Sequence, residues 1–257
     1  MSNQDQFHDQ VIFVGGASGG VGRAAAKMLL ERGARVALHY RSNRAPVDAL
    51  IERFGSDKAM AIQADLTDKP ALIAAIAEVI KRFGKLDGAL NTVGSALRMQ
   101  PFLDIPEEQV DDTIHIELRS VIALAQAVLP HLIANGGGRY VLVGSDSGKV
   151  GTSGEAVSAA CRGGIIAFAK SLAREYARQK VLVNVVCPGP TETQLWEDLV
   201  ENDEFGSKIG NAMIRAIPLR RIGKAEEVAA MAVFLLSPEG SYVTGQAISV
   251  SGGLTMS

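Results

Sequence analysis

The chain has 257 residues, of which 47% are hydrophobic and 21% charged, and its formal net charge at pH 7 is −2. This length suits one large α/β domain, and the near-neutral charge excludes a broadly basic surface for nucleic acid or anionic lipid. Only two cysteines, no N-terminal signal peptide and no apolar run near the roughly 20 residues that span a bilayer together predict a soluble cytoplasmic protein.

Short apolar runs alternate with longer amphipathic segments, a pattern typical of repeated β-α-β units. The predicted strands cover residues 11–14, 35–39, 59–63, 88–91, 139–143, 181–186 and 247–250. The predicted helices cover residues 20–32, 46–54, 70–83, 110–134, 158–178 and 226–236. Residues 191–222 are polar and irregular, and we predict a flexible substrate flap there with one or two helices. No linker divides the chain, so we expect a single domain over residues 1–257.

The strand and helix order predicts a doubly wound Rossmann-type α/β fold, with a seven-stranded parallel sheet and helices on both faces. The turn after the first strand supports it, since it reads Gly15-Gly16-Ala17-Ser18-Gly19-Gly20-Val21-Gly22. Glycines allow positive φ and let backbone amides approach a pyrophosphate at the start of the next helix. The contacts expected for the dinucleotide are Gly16, Ser18, Gly19, Gly20, Val21 and Gly22. The alternative is a glycine-rich hairpin.

Four motifs, the glycine turn and three later segments, occur in chain order. The turn resembles the TGxxxGxG motif of the short-chain dehydrogenase/reductase family, with Gly15 in place of its threonine. The segments 64–68, 91–94 and 187–193 read ADLTD, NTVG and CPGPTET, and they resemble the family's adenine-contacting, NNAG and PG motifs. The match extends over nearly the whole chain and is similar to the classical type that includes 3-oxoacyl-ACP reductases. The resemblance implies further dinucleotide contacts at Asp65, Leu66, Asn91, Thr92, Val93, Gly94, Arg162, Pro188, Gly189, Thr191 and Thr193.

The end of the second strand bears on the choice between NADP and NAD. Sites that prefer NAD place a carboxylate there to accept from the ribose 2′-hydroxyl, whereas this chain has Tyr40 followed by Arg41 and Ser42. A guanidinium suits a 2′-phosphate. We therefore expect NADP, bound by Arg41 and Ser42, in preference to NAD. The alternative is a solvated arginine on a surface loop.

The family's catalytic positions differ in this chain. The resemblance implies a tyrosine proton donor, a lysine four residues later, a serine on the fifth strand and an asparagine on the long helix. Ser145 matches the serine, but Ser158, Arg162 and Glu117 occupy the other three positions. A serine hydroxyl is shorter and far less acidic than a phenol, and an arginine stays charged. We therefore expect hydride transfer by the family's usual route to be very weak.

Two functions remain open from the sequence. The first is an oxidoreductase acting on a carbonyl/alcohol pair, and the second is a non-catalytic dinucleotide-binding scaffold, sensor or partner of an active relative. Loop residues Asp146, Ser147 and Lys149 are interpreted as solvated, and His39 as an ordinary surface or helix histidine. The sequence therefore indicates no replacement acid and no metal site.

Two structural predictions follow from the altered positions and the long helices. Glu117 and Arg162 are expected to form a partly buried ion pair beneath the nicotinamide pocket. The long helices carry more apolar residues than one sheet face can cover, which predicts a homodimer or homotetramer. The residues in question are Val121, Leu124, Val128, Ile165, Ile166 and Phe168. The alternative is that all six side chains belong to the core of one chain.

Overall fold

A computed structural model describes residues 6–95, 98–201 and 204–256. Its strands are β1 (Val11–Gly15), β2 (Arg35–Tyr40), β3 (Ala59–Gln63), β4 (Gly88–Asn91), β5 (Gly138–Val143), β6 (Val181–Pro188), β7 (Thr191–Glu192), β8 (Gly223–Lys224) and β9 (Ala247–Val250). Seven of them form a parallel sheet in the order β3-β2-β1-β4-β5-β6-β9. This confirms the predicted doubly wound fold. The strand order reverses between β1 and β4, which is where such sheets bind ligands.

Helices cover both faces of the sheet because each buries one apolar stripe against it. They are α1 (Gly20–Glu31), α2 (Ala45–Phe54), α3 (Lys69–Phe83), α4 (Glu107–Ile114), α5 (Ser120–Ala134), α6 (Ser147–Val150), α7 (Ala156–Tyr176), α8 (Gln194–Glu201), α9 (Glu204–Ala216) and α10 (Ala225–Leu236). One apolar core lies between the sheet and α3, α5 and α7. The other lies between the sheet and α1, α2 and α10.

The predicted long helix over 110–134 begins earlier and is not uniform. It starts at Glu107 and contains a π-helical segment, His115–Arg119, between α4 and α5. A π-helical turn widens the helix and is common at functional sites. Glu117 lies in this segment and is only 2% exposed.

The segment 191–222 is more regular than expected. It contains α8 and α9, and its first strand, β7, pairs in parallel with β8. Gly210 lets α9 approach α8 closely, because a side-chain carbon there would lie 3.2 Å from Cβ of Val200. The prediction of one or two helices in this segment is therefore confirmed.

The apolar long helices require two corrections. By length and composition, Glu107–Ala134 and Ala156–Gln179 are apolar enough to cross a membrane, contrary to the sequence reading. However, 56% and 44% of their most apolar windows are buried, because both helices pack on the sheet. The same packing buries four residues that were expected to be in excess, namely Val121, Leu124, Val128 and Ile165. Of the six residues, Ile166 and Phe168 stay partly exposed.

Candidate active site

A cavity of about 800 Å³ opens at the carboxyl ends of β1, β4, β5 and β6, within the size range of ligand pockets. The predicted site residues that line it are Gly16, Ser18, Gly19, Gly20, Val21, Gly22, Arg41, Asp65, Leu66, Thr92, Val93, Gly94, Glu117, Ser145, Ser158, Arg162, Pro188, Gly189, Thr191 and Thr193. Two predicted contacts do not line it. Ser42 lies exposed on the loop after β2, and Asn91 is buried at the end of β4.

In the glycine turn between β1 and α1, neighbouring atoms leave no room for side chains at three of the glycines. Gly16 has φ +80°, and a side-chain carbon there would lie 2.7 Å from Oγ1 of Thr92. A side-chain carbon at Gly22 would collide with the carbonyl oxygen of Gly16, and one at Gly20 would lie 2.8 Å from Cγ2 of Thr193. The turn leads directly from a parallel strand into a helix, so the hairpin alternative is wrong.

The beginning of α1 has the properties of an anion site. Its N-cap residue, Gly19, offers no side-chain cap, and no acidic residue lies in the first turn. The first N–H groups of a helix have no partner within the helix, and the helix dipole makes this end positive. Gly19, Gly20 and Val21 line the cavity at this point. The turn therefore fits a pyrophosphate, as in other dinucleotide folds.

His39 is not the ordinary histidine expected from the sequence. It is 2% exposed at the end of β2, and its Nδ1 accepts a hydrogen bond of 3.1 Å from the Gly16 N–H. Its Nε2 lies 2.9 Å from the Ala64 carbonyl oxygen, which makes Nε2 the protonated nitrogen. Burial lowers the pKa of His39, despite the opposing effects of the Ala64 carbonyl and the Asp65 charge. The neutral ring thus ties the glycine turn to the loop after β3.

The loop after β2 carries two guanidinium groups with different surroundings. Arg44 forms an i,i+4 pair with Asp48, with Nε 3.0 and 3.1 Å from the two carboxylate oxygens. Arg41 lines the cavity and makes no ion pair within the described part of the chain. On the facing loop, hydrogen bonds from Thr67 lower the pKa of Asp65, with a further contribution from the Arg41 charge. A cation and an anion thus flank this end of the cavity.

The end of β4 is fixed to the glycine turn by side-chain hydrogen bonds. Thr92 Oγ1 donates to the Gly15 carbonyl oxygen at 2.8 Å. Asn91 Oδ1 accepts from the Val93 N–H at 3.1 Å. Asn91 therefore positions the residues that line the cavity, although it does not line the cavity itself.

The end of β5 provides one hydroxyl that is oriented for donation. Ser145 Oγ accepts two hydrogen bonds from Ser147, from its N–H at 3.2 Å and its hydroxyl at 2.9 Å. With its oxygen so occupied, the Ser145 hydroxyl has its own proton available to the cavity. Asp146 and Ser147 are 4% and 6% exposed, so the expectation of solvated side chains is wrong for both.

The predicted ion pair between Glu117 and Arg162 is confirmed, and it is buried more deeply than expected. Arg162 Nη2 and Nε donate to the two carboxylate oxygens of Glu117 at 2.9 and 3.0 Å. The Arg162 side chain is 8% exposed and the Glu117 side chain is 2% exposed. Arg162 Nη1 also donates to the Val143 carbonyl oxygen at 3.0 Å. This bidentate geometry is what a buried pair needs to offset its desolvation.

Ser158 belongs to the same network. Its hydroxyl donates to Glu117 Oε2 at 2.7 Å, and Ser95 donates to Oε1 from its N–H at 3.2 Å and its hydroxyl at 2.8 Å. Burial by itself would raise the pKa of Glu117, but the Arg162 charge and these hydrogen bonds outweigh it and hold the pKa below its ordinary value. Glu117 is therefore a carboxylate that accepts five hydrogen bonds, and the Ser158 proton is committed to it.

Glu155 is the titratable residue of the cavity that the sequence reading missed. It precedes α7, lines the cavity and is only partly exposed. Burial, reinforced by the Glu117 charge and opposed by Arg162, raises the pKa of Glu155 to about 7. Its position three residues before Ser158 gave no sequence signal by itself, because its role depends on how deeply the fold buries it.

Comparisons with known proteins agree with this geometry. A family model described as "Enoyl-(Acyl carrier protein) reductase" matches residues 16–255. The 3-oxoacyl-[acyl-carrier-protein] reductase FabG of Escherichia coli K12 is 34% identical over 97% of this chain and 99% of its own length. That of Vibrio cholerae is 35% identical over 96% of this chain and 98% of its own. A crystal structure from Brucella melitensis, titled a short-chain dehydrogenase/reductase, glucose/ribitol dehydrogenase, matches at 29% identity with a TM-score of 0.88, covering 99% of this chain and 100% of that one.

Proposed function

The chain belongs to the short-chain dehydrogenase/reductase family of oxidoreductases, and we propose that it binds NADP(H) and interconverts a carbonyl compound and its alcohol. We further propose that the family's usual tyrosine-dependent route contributes almost nothing. One observation carries this proposal: the Glu117–Arg162–Ser158 network lies in the same cavity as the glycine turn that fits a dinucleotide.

Family members use a nicotinamide dinucleotide, which supplies or accepts a hydride when bound. In this chain, the N–H groups of Gly20 and Val21 would hold the pyrophosphate, while the Gly19 N–H donates to the Gly16 carbonyl and Gly19 lines the cavity beside them. Asp65 and Leu66 would lie beside the adenine, and Thr191 and Thr193 beside the nicotinamide and pyrophosphate. The orphan N–H groups at the start of α1 support this assignment, since they face the cavity without a side-chain cap.

Arg41 supports NADP over NAD. It lines the cavity and forms no ion pair with any carboxylate in the described ranges, whereas Arg44 is already paired with Asp48. A free guanidinium at this position offers two parallel N–H donors to a 2′-phosphate. The Asp65 charge nearby would partly offset that attraction, so the preference for NADP is expected to be moderate.

Ser158, which occupies the position of the family's tyrosine proton donor, explains why we expect the usual route to be nearly lost. Ser158 donates its proton to the Glu117 carboxylate rather than to the cavity, and its hydroxyl is much less acidic than a phenol. Removal of a general acid costs roughly 10²–10⁴-fold in rate. The Ser145 hydroxyl keeps its own proton, which it can donate to the carbonyl oxygen of a substrate. The substrate can therefore be bound and polarised without Ser158.

The substrate end of the cavity is apolar. Its walls from α8, α9 and the C-terminal segment include Leu195, Trp196, Ile209, Met213 and Leu254. Such walls suit a ketone on an alkyl or acyl chain, because apolar surface leaves water on binding. Because the relatives from Escherichia coli and Vibrio cholerae are named 3-oxoacyl-[acyl-carrier-protein] reductases, we would test 3-oxoacyl thioesters first.

The experiment combines binding and turnover on one sample. Calorimetry is expected to show NADPH binding tighter than NADH binding, and NADPH oxidation with 3-oxoacyl thioesters and simple ketones is expected to be slow but measurable. Absence of NADPH binding would refute the proposal. Binding without oxidation of NADPH by any carbonyl compound would instead favour a non-catalytic dinucleotide-binding protein.

We also propose that the protein acts as one domain in the cytoplasm and assembles as a homodimer or homotetramer. The partly exposed apolar residues Ile166 and Phe168 on α7 support self-association, although most of that helix pair is already buried within one chain. Sedimentation is expected to give a dimer or tetramer at micromolar concentration, and a monomer there would contradict the assembly.

A further inference from the structure

We propose that Glu155 is the proton donor for carbonyl reduction in this site, in place of the missing tyrosine. The inference rests on the proposed function and adds the residue that completes its chemistry. Glu155 lines the same cavity as Ser145 and Ser158, and it immediately precedes α7. Within the described residues, its carboxyl group has neither a hydrogen bond nor an ion pair, so its proton is not committed elsewhere.

In the proposed arrangement, the Glu155 carboxyl group occupies the space that a longer side chain at position 158 would reach. Side chains on a helix lean toward its N-terminus, so the end of a long side chain lies over the preceding turn. Position 155 begins that turn, three residues before Ser158. Ser158 is too short to reach this space, and its hydroxyl donates to Glu117. Glu155 therefore brings an acidic group to this space from the adjacent turn.

The two glutamates of the site have opposite surroundings. Glu117 accepts five hydrogen bonds and remains a carboxylate, whereas Glu155 receives none from the described residues. Burial and the Glu117 charge raise the pKa of Glu155 to about 7. Two carboxyl groups whose pKa values are pushed apart are typical of acid–base sites. A pKa near the working pH is also the most effective for a general acid.

Other charges also act on this proton. Arg162, from the same helix, opposes the rise in pKa of Glu155, and the positive end of α7 acts in the same direction. The remaining charged or titratable residues that line the cavity are His39, Arg41, Asp65 and Asp146. The pH dependence assigned to Glu155 must therefore be tested with a variant that removes that carboxyl group alone.

A reduced nicotinamide, when bound, would supply the hydride that the carbonyl carbon gains. The π electron pair of the C=O bond would then move to oxygen, and that oxygen would take the Glu155 proton. This would give an alcohol, the oxidised dinucleotide and the Glu155 carboxylate, which would regain a proton from water. Ser145 donates a hydrogen bond to the same oxygen and stabilises the developing charge. In the oxidative direction, the carboxylate acts as the base.

The kinetic test compares Glu155→Gln with wild type and with Glu175→Gln, a matched control at an exposed position on the same helix. Glu155→Gln is expected to lower kcat for carbonyl reduction by about 10²–10⁴-fold, with the NADPH Kd changed by less than about twofold. Wild-type kcat for reduction is expected to fall as pH rises through about 7, and alcohol oxidation to rise over the same range. Glu155→Asp is expected to keep part of the rate and the pH dependence.

A second readout needs no turnover. In protein labelled with ¹³C at glutamate carboxyl groups, the resonance missing from Glu155→Gln is expected to titrate near pH 7 without nucleotide. A titration near 4.5, the ordinary pKa of a glutamate, would overturn the proposal, as would an unchanged kcat and pH profile in Glu155→Gln. NADPH binding without reduction by wild type would also overturn it. Loss of NADPH binding in wild type would instead refute the proposed function.

Discussion

The nucleotide half and the catalytic half of this cavity are built by different means. The nucleotide half, residues 15–22 with the ends of β2 and β4, depends on glycines where a side chain does not fit: an added Cβ would clash with Thr92 at Gly16 and with the Gly16 carbonyl at Gly22. The catalytic half, Glu117, Ser145, Ser158 and Arg162, is held by side-chain hydrogen bonds. Backbone geometry restricts the sequence tightly, whereas a side-chain network can be exchanged if all its members change together.

The residues that replace the family's asparagine, tyrosine and lysine in the catalytic half compensate for one another. Replacing an asparagine by Glu117 alone would bury a negative charge, and an arginine alone would bury a positive one. Together they form a bidentate pair that satisfies both groups, and Ser158 occupies part of the remaining acceptor capacity of Glu117. The three altered positions therefore constitute one structural unit.

The largest expected effect comes from breaking this unit. Glu117→Ala leaves the Arg162 guanidinium buried without its carboxylate, and we expect the free energy of unfolding to fall by about 3–5 kcal/mol. Urea unfolding measures the change. The matched control is Glu117→Met with Arg162→Met, which removes both charges and is expected to stay closer to wild type. If Glu117→Ala lowers the free energy of unfolding by no more than about 0.5 kcal/mol, as an ordinary surface substitution does, the pair is not a structural unit.

The two glutamates are expected to change stability with pH in opposite directions. The pKa of Glu155 is raised, so the folded state binds more protons than the unfolded state between pH 4.5 and about 7, and stability falls as pH rises through that range. The pKa of Glu117 is lowered, so its contribution is present above pH 4.5 and is lost as pH falls further. Urea unfolding at a series of pH values checks both contributions. Between pH 4.5 and about 7, the free energy of unfolding should depend less on pH in Glu155→Gln than in wild type. The same dependence in both proteins would argue against a raised pKa of Glu155.

The smallest effect concerns the nucleotide half. Arg41→Ala is expected to weaken NADPH binding by about tenfold, or roughly 1.4 kcal/mol, and to leave NADH binding nearly unchanged, because only NADPH carries the 2′-phosphate. The preference of wild type for NADPH should shrink with added salt, since Arg41 is exposed and screened. Arg44→Ala is the control, because Arg44 is paired with Asp48. Equal calorimetric affinities of wild type for NADPH and NADH would refute the role of Arg41.

The sequence predicted the sheet and the nucleotide turn because both depend on local patterns. Strands β3, β4 and β9 begin and end where the apolar runs do, and the glycine spacing determines the turn. The Glu117–Arg162 pair was also predictable, since two aligned positions had acquired opposite charges. Glu155 was not, because its role depends on burial and on the absence of a partner, neither of which is visible in the residue types around it. His39 was missed for the same reason.

The central claim is that the nucleotide half is intact and that the catalytic half alone limits the usual reaction. The most direct test is the variant Ser158→Tyr with Arg162→Lys and Glu117→Asn, assayed with NADPH and a 3-oxoacyl thioester beside wild type. We predict at least a 10²-fold higher rate, within the range of a restored general acid, with the NADPH Kd changed by less than about threefold. The claim would be contradicted by a variant that folds and binds NADPH but reduces the thioester no faster than wild type. It would also be contradicted by a wild type that turns over at an ordinary ~10 s⁻¹ by a route independent of Glu155.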